Sequence, residues 1–166
     1  KIKTAAEAAL KTRENPFFER SEPPEGNLKI LALGHPYILY DDYLNMNIIK
    51  KLERRGAKVV TPEYAGLEKS EKAAASLEKP MFWTYGKREI GAAISEAADK
   101  KEDGAIYISA FGCGVDSFAA DMVRRRLQAA GVPFMLVTLD EMSGEAGLDT
   151  RLEAFADLVY KKKRAQ

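Results

Sequence analysis

The stretch Gly104-Ala105-Ile106-Tyr107-Ile108-Ser109-Ala110-Phe111-Gly112-Cys113-Gly114-Val115-Asp116-Ser117 decides the reading of the fold. Gly104 to Ser109 is a short apolar run of strand character. It passes through two closely spaced glycines into Ser117 to Ala130, which has helical spacing and stops at Gly131. A strand buried on both faces, a tight turn and a helix are the building units of a parallel sheet.

The same grammar repeats on either side. Leu28 to Leu33 reads as the first strand, and Tyr40 to Arg55 as a helix with Asp41 and Asp42 in its first turn and Gly56 just past its end. Ala57 to Thr61 is the second strand. Pro62 to Lys79 is irregular, with one helix around Ser70 to Leu77, and Trp83 to Lys101 carries Ile90, Ala93, Ile94 and Ala97 at helical spacing. Pro133 to Leu139 is the fourth strand, and Asp149 to Lys162 closes the chain as a helix whose lysines suit its C-terminal dipole. The class is α/β: a Rossmann-like or flavodoxin-like doubly wound sheet of about four parallel strands, with expected order 2-1-3-4 from right-handed crossovers.

Upstream, Thr4 to Arg20 favours helix, with Thr4 as N-cap and Glu7 completing a capping box, and Pro23 and Pro24 end it. The expected organisation is an N-terminal helix and linker over residues 1–26, read either as a linker remnant or as the end of a preceding domain, and an α/β domain over residues 27–166. The start at Lys1 rather than Met suggests a piece of a longer protein.

Composition narrows the function. The 166 residues are 46% hydrophobic and 31% charged, enough for one core. Lys plus Arg number 26 against 25 Asp plus Glu, so no overall field holds a polyanion, and a general nucleic-acid partner is not expected. A single cysteine rules out an internal disulfide or a zinc site of paired thiolates and fits a reducing compartment. No apolar run approaches the ~20 residues that cross a bilayer, and no signal peptide opens the chain. The expectation is a cytoplasmic protein with no membrane partner.

The fold gathers the segments after the strands at one rim. They are Gly34-His35-Pro36-Tyr37, Thr61-Pro62-Glu63-Tyr64, Phe111 to Ser117, and Asp140-Glu141-Met142-Ser143-Gly144-Glu145. Cys113, between Gly112 and Gly114 and just before a helix that Asp116 or Ser117 can cap, stands where a thiolate is favoured for metal ligation or nucleophilic attack. The alternative is a small buried residue beside a tight turn. His35 reads either as a base or proton carrier opposite Cys113 or as an imidazole bonded to backbone, and Glu141 is a candidate catalytic carboxylate. Spacing assigns no third member of a triad. In Phe82 to Arg88, the aromatics and Arg88 form either a wall facing an anionic ligand or an anchor seating the helix on the sheet. Arg124 to Arg126 and Lys161 to Arg164 read as solvated charge. Neither Gly34 nor Gly112 opens a nucleotide-binding fingerprint.

Taken in order, Gly34-His35-Pro36-Tyr37, Trp83-Thr84-Tyr85, Phe111 to Asp116 and Asp140 to Phe155 resemble the 2-hydroxyacyl-CoA dehydratase superfamily, and more closely its acyl-CoA dehydratase activase-related proteins. The resemblance spans roughly Leu28 to Leu158 and implies an iron-sulfur protein of anaerobic metabolism. In that family a cysteine-held cluster between Rossmann-like domains takes an electron from an ATP-dependent activase and passes it to a 2-hydroxyacyl-CoA thioester. Relatives reduce small molecules. Cys113 matches the Phe-Gly-Cys-Gly cysteine that looks like a cluster ligand, with Gly112, Gly114, Tyr37 and Arg88 as expected neighbours of the cofactor. Thr150 and Arg151 match a Thr-Arg-x-Glu-Ala-Phe element to which only a supporting role is assigned.

The departure is the cysteine count. A [4Fe-4S] cluster ordinarily takes about four thiolates. Either the implied cluster belongs to a full-length parent and not to this chain alone, with a missing N-terminal domain or partner subunit supplying further cysteines, or the cluster has been lost in this branch. The parent is expected to be dehydratase- or reductase-like, and the isolated domain inactive. Other readings are a nucleophilic enzyme built on Cys113 and His35, and a non-catalytic subunit-interaction domain.

Overall fold

Strands β1 (Leu28–Leu33), β2 (Ala57–Val60), β3 (Gly104–Ala110) and β4 (Phe134–Leu139) pair in the order β2-β1-β3-β4, all parallel, in a computed structural model that describes residues 27–165. This is the expected doubly wound α/β sheet. Register runs from Leu28 opposite Ala57, through Ile30 opposite Gly104, to Ala105 opposite Phe134. The segments expected over Thr4 to Arg20 and Ser21 to Gly26, and the boundary near residue 26, lie outside the described residues.

Strand alternation sends the sheet's side chains into two cores. Leu28, Ile30, Ala32, Ile106 and Ile108 pack under α1 (Pro36–Leu39), α2 (Ile48–Arg54) and α6 (Glu145–Arg164). Leu31, Leu33, Ala105 and Tyr107 face Ile90 and Ala93 of α4 (Thr84–Asp99) and Ala119, Val123 and Leu127 of α5 (Gly114–Ala129). β1 and β3 are therefore covered on both faces, which is why their sequences are almost continuously apolar. The edge strands instead alternate in burial, and Leu136 on β4 is partly exposed.

Four helices differ in extent from the expectation. The single helix expected over Tyr40 to Arg55 is interrupted. Asp41 Oδ1 accepts from the Tyr43 and Leu44 N–H groups at 2.9 Å, the buried Asn45 donates to the Leu39 carbonyl at 2.9 Å, and Met46 and Asn47 turn left-handed before α2. Pro62–Ala74 is helical, as α3, with a break at Gly66, rather than largely irregular. α5 and α6 begin earlier than expected, at Gly114 and Glu145. Asp116 and Ser117 thus fall inside α5, and Cys113 takes the N-cap position without a side-chain capping bond. Among the described residues no helix is long and apolar enough to cross a membrane.

Candidate functional site

β1 ends at Leu33, and the chain turns at once beside β3. Gly34 makes the turn with φ at 147°, where a Cβ would stand 2.3 Å from the Ile108 carbonyl oxygen. Only a residue without a side chain passes there. His35 follows as the N-cap of α1, its carbonyl accepting from the Ile38 and Leu39 N–H groups at 3.0 and 2.9 Å. Its ring reaches Asp116 on α5, and Nδ1 lies 2.5 Å from Asp116 Oδ1.

On the neighbouring turn Gly112, with φ at 79°, carries β3 into α5. The Cys113 carbonyl accepts from both the N–H and the hydroxyl of Ser117, each at 3.0 Å. The thiol itself is half-buried and has no hydrogen bond among the described residues. A Cβ on Gly112 or Gly114 would meet nothing within 4 Å, so the flanks of the thiol are open. Ligand atoms of His35, Cys113 and Asp116 all lie within 4.8 Å of one another.

Beneath this cluster runs a buried polar chain. Asp116 is fully buried, and its Oδ1 also lies 3.1 Å from the Tyr107 hydroxyl. That hydroxyl makes a second, short contact with Glu89 Oε2. Glu89 sits on the inner face of α4 and is 2% exposed. Burial pushes its carboxyl up to about 7, against the Tyr107 hydrogen bond and the His35 charge, which pull it down. The hydrogen bond from His35 to Asp116 raises the imidazole above its usual value and outweighs burial. Burial, then the charge of Glu89, holds the Tyr107 phenol far above the ordinary tyrosine range, so it remains a donor. Glu89 Oε1 and Asp116 Oδ2 are buried with no partner.

Aromatic rings line the rim above. The His35 ring lies 5.7 Å from Tyr37 and 5.5 Å from Tyr85, and the Arg88 guanidinium stands 5.6 Å over the Tyr85 ring. Arg88 Nε is 3.8 Å from a Glu71 carboxylate oxygen. Tyr37 links this cluster to a groove of about 520 Å³ lined by Tyr43, Leu44, Leu139 and Glu141. Burial, then the nearby Asp116 charge, raises the Tyr37 phenol.

The structure therefore brings together Cys113, His35, Gly112, Gly114, Tyr37 and, through Tyr85, Arg88. Glu141 is exposed on the wall of the groove. Thr150 donates to the Ala146 carbonyl at 3.1 Å, and Arg151 donates to the Leu136 carbonyl at 2.8 Å, closing part of the free edge of β4. Sequence reasoning missed Asp116 as a partner of His35, and it missed Tyr107 and Glu89 altogether. One signal was available: Glu89 shares the apolar stripe of Gly86, Ile90 and Ala93, where a carboxylate is out of place.

The sequence matches the model of the family described as 2-hydroxyglutaryl-CoA dehydratase, D-component, over residues 2–159. The chain belongs to this family. No curated protein sequence matches it. The 2-hydroxyglutaryl-CoA dehydratase D-component family is associated with iron-sulfur dehydratase components, and one side chain here, the free thiol of Cys113, has the donor chemistry of a cluster ligand. Cys113 offers an unbonded thiol with open flanks. No second cysteine exists in the 166 residues, so the chain does not supply a cluster's full ligand set.

Proposed function

We propose that this chain is the domain of a dehydratase component that contributes one thiolate, from Cys113, to an iron-sulfur cluster completed by cysteines of another segment or partner subunit. The family membership supports the relation to 2-hydroxyacyl-CoA dehydratases. The observation that carries the ligand assignment is the free, half-buried Cys113 thiol at an open glycine turn beside the His35–Asp116 pair. When bound, the cluster supplies low-potential electrons for reductive chemistry on a small or CoA-linked substrate, with an ATP-dependent activase as electron donor. The chain's own residues shape the place where that happens. Tyr37 and Tyr85 wall the rim, Arg88 stacked on Tyr85 offers a cation to an anionic substrate group, and His35 holds a proton at the mouth.

The test is anaerobic reconstitution with ferrous iron and sulfide, reading iron content and the paramagnetic signal of the reduced cluster. The wild-type chain alone is expected to stay colourless. Assembled with its cysteine-bearing partner segment, it is expected to give a cluster that Cys113→Ala depletes or alters. Equal content and an identical signal in Cys113→Ala would remove Cys113 from the ligand set.

A second reading rests on the mutual closeness of Cys113, His35 and Asp116. In it the thiolate attacks a thioester carbonyl, the carbon–sulfur bond to the departing thiol breaks, and His35 returns the proton to that thiol. An acyl adduct on Cys113, seen by mass spectrometry after mixing with an acyl thioester, would favour it over the cluster assignment.

A further inference from the structure

Three buried groups below the rim have fewer protons than contacts. The Tyr107 hydroxyl carries one hydrogen, yet it touches Glu89 Oε2 and lies 3.1 Å from Asp116 Oδ1. Asp116 Oδ1 already accepts from His35. Two ionised carboxylates cannot both be satisfied by one phenolic hydrogen in a dry interior, where an unmatched oxygen pair is repulsive. Both contacts of the Tyr107 oxygen are hydrogen bonds at once only when one carboxyl is neutral. Asp116, with donors on both sides, is the acceptor, which leaves Glu89 to carry the proton and donate it to the Tyr107 oxygen.

The geometry points to Glu89 as a proton-controlled positioning residue for the rim, acting through the direction of the Tyr107 hydroxyl. While Glu89 is neutral, Tyr107 donates to Asp116, and Asp116 holds His35 with two donors in place. When Glu89 ionises, the phenolic hydrogen turns toward it, and Asp116 keeps only His35. The proton lost from Glu89 leaves to solvent, and no other bond changes. The rim cluster therefore has two states, selected by a group it does not touch directly.

The groups facing Glu89 are Tyr107 from β3, Asp116 from α5, His35 from the turn after β1 and Glu63 from the first turn of α3. Burial and the Asp116 and Glu63 charges favour the neutral carboxyl, and Tyr107 and His35 oppose them. The balance places the transition near neutral pH. The inference goes beyond the cluster assignment and needs no iron. A chain that binds no cluster shows it equally, so the two readings fail separately.

The test follows the carboxyl carbons of Glu89 and Asp116 by carbon-13 NMR across pH in the isotope-labelled chain. The Glu89 signal is expected to titrate near neutrality, and the Asp116 signal to step at the same midpoint. Glu89→Gln copies the neutral acid in shape and is expected to abolish the Asp116 step. Tyr107→Phe removes a hydrogen bond that favours the ionised carboxyl and moves the Glu89 midpoint up. Asp116→Asn removes a repelling charge and moves it down, each by roughly half a unit or more. A carboxyl that is merely buried would move with neither. A Glu89 midpoint in the ordinary carboxylate range, or an Asp116 step that survives Glu89→Gln, overturns the assignment. Should the Tyr107 or Asp116 variant not fold, the wild type and Glu89→Gln decide the matter alone.

Discussion

At position 34 an added Cβ would meet the Ile108 carbonyl oxygen at 2.3 Å on a backbone already at positive φ. Gly34→Ala therefore forces β1 and β3 apart where they flank the site, at a cost of about 3 kcal/mol from overpacking and backbone strain together. The same displacement draws His35 off Asp116. Urea unfolding measures the first effect, and loss of the downfield Nδ1 proton resonance of His35 the second; a cost under about 1 kcal/mol with that resonance intact would show the turn to be no clamp. The legibility of the site follows the same scale. His35 and Cys113 stood out because each is the only residue of its type. Asp116 and Glu89 are two of 25 acidic residues, and nothing local in the sequence says which few of these fold inward.

Between Tyr40 and Arg55 the apolar positions have helical spacing, yet the chain forms an Asp41-centred loop and only then α2. Local side-chain bonds from Asp41 and Asn45 to the backbone compete with the helix and win, a contest that periodicity does not register. The central strands β1 and β3 were legible because burial on both faces writes itself as a continuous apolar run. The early start of α6 has a tertiary cause: Lys51 of α2, 7% exposed at its side chain, meets Glu145 Oε1 at 2.8 Å and Asp149 Oδ1 at 2.9 Å. These two ion-paired carboxylates raise the Lys51 ammonium above its usual value in spite of burial. Removing one carboxylate leaves the other in place, whereas Glu145→Gln with Asp149→Asn strands the cation. The double variant is expected to lose about 1–2 kcal/mol, more than the sum of the single changes, as read by urea unfolding in a double-mutant cycle. Additive losses would mean that the two carboxylates act independently.

For the molecule as a whole, the shifted groups near the site combine into one pH dependence. The Glu89 carboxyl stands at about 7 in the fold against an ordinary 4.5, so the folded chain binds more protons than the unfolded one across that window. Stability contributed by its neutral form is full below about pH 4.5 and is lost as pH rises through 7. Glu102, raised by burial, acts in the same direction. His35, raised from 6.5 by Asp116, contributes stability that is full below 6.5 and is lost as pH climbs through its higher folded value. The exposed Glu68, Asp99 and Asp121 are lowered by lysine or arginine partners and oppose this only in acid, as pH falls below about 4. The fold is therefore expected to be most stable near pH 5 and to weaken toward pH 8, with Glu89 accounting for on the order of 3 kcal/mol of that decline. In Glu89→Gln the fall between pH 5 and 6.5 should flatten while the His35 portion above 6.5 persists. Urea midpoints taken at half-unit steps decide it, and a wild-type curve that is level or rising from pH 5 to 7 would mean that Glu89 is ionised inside the fold throughout.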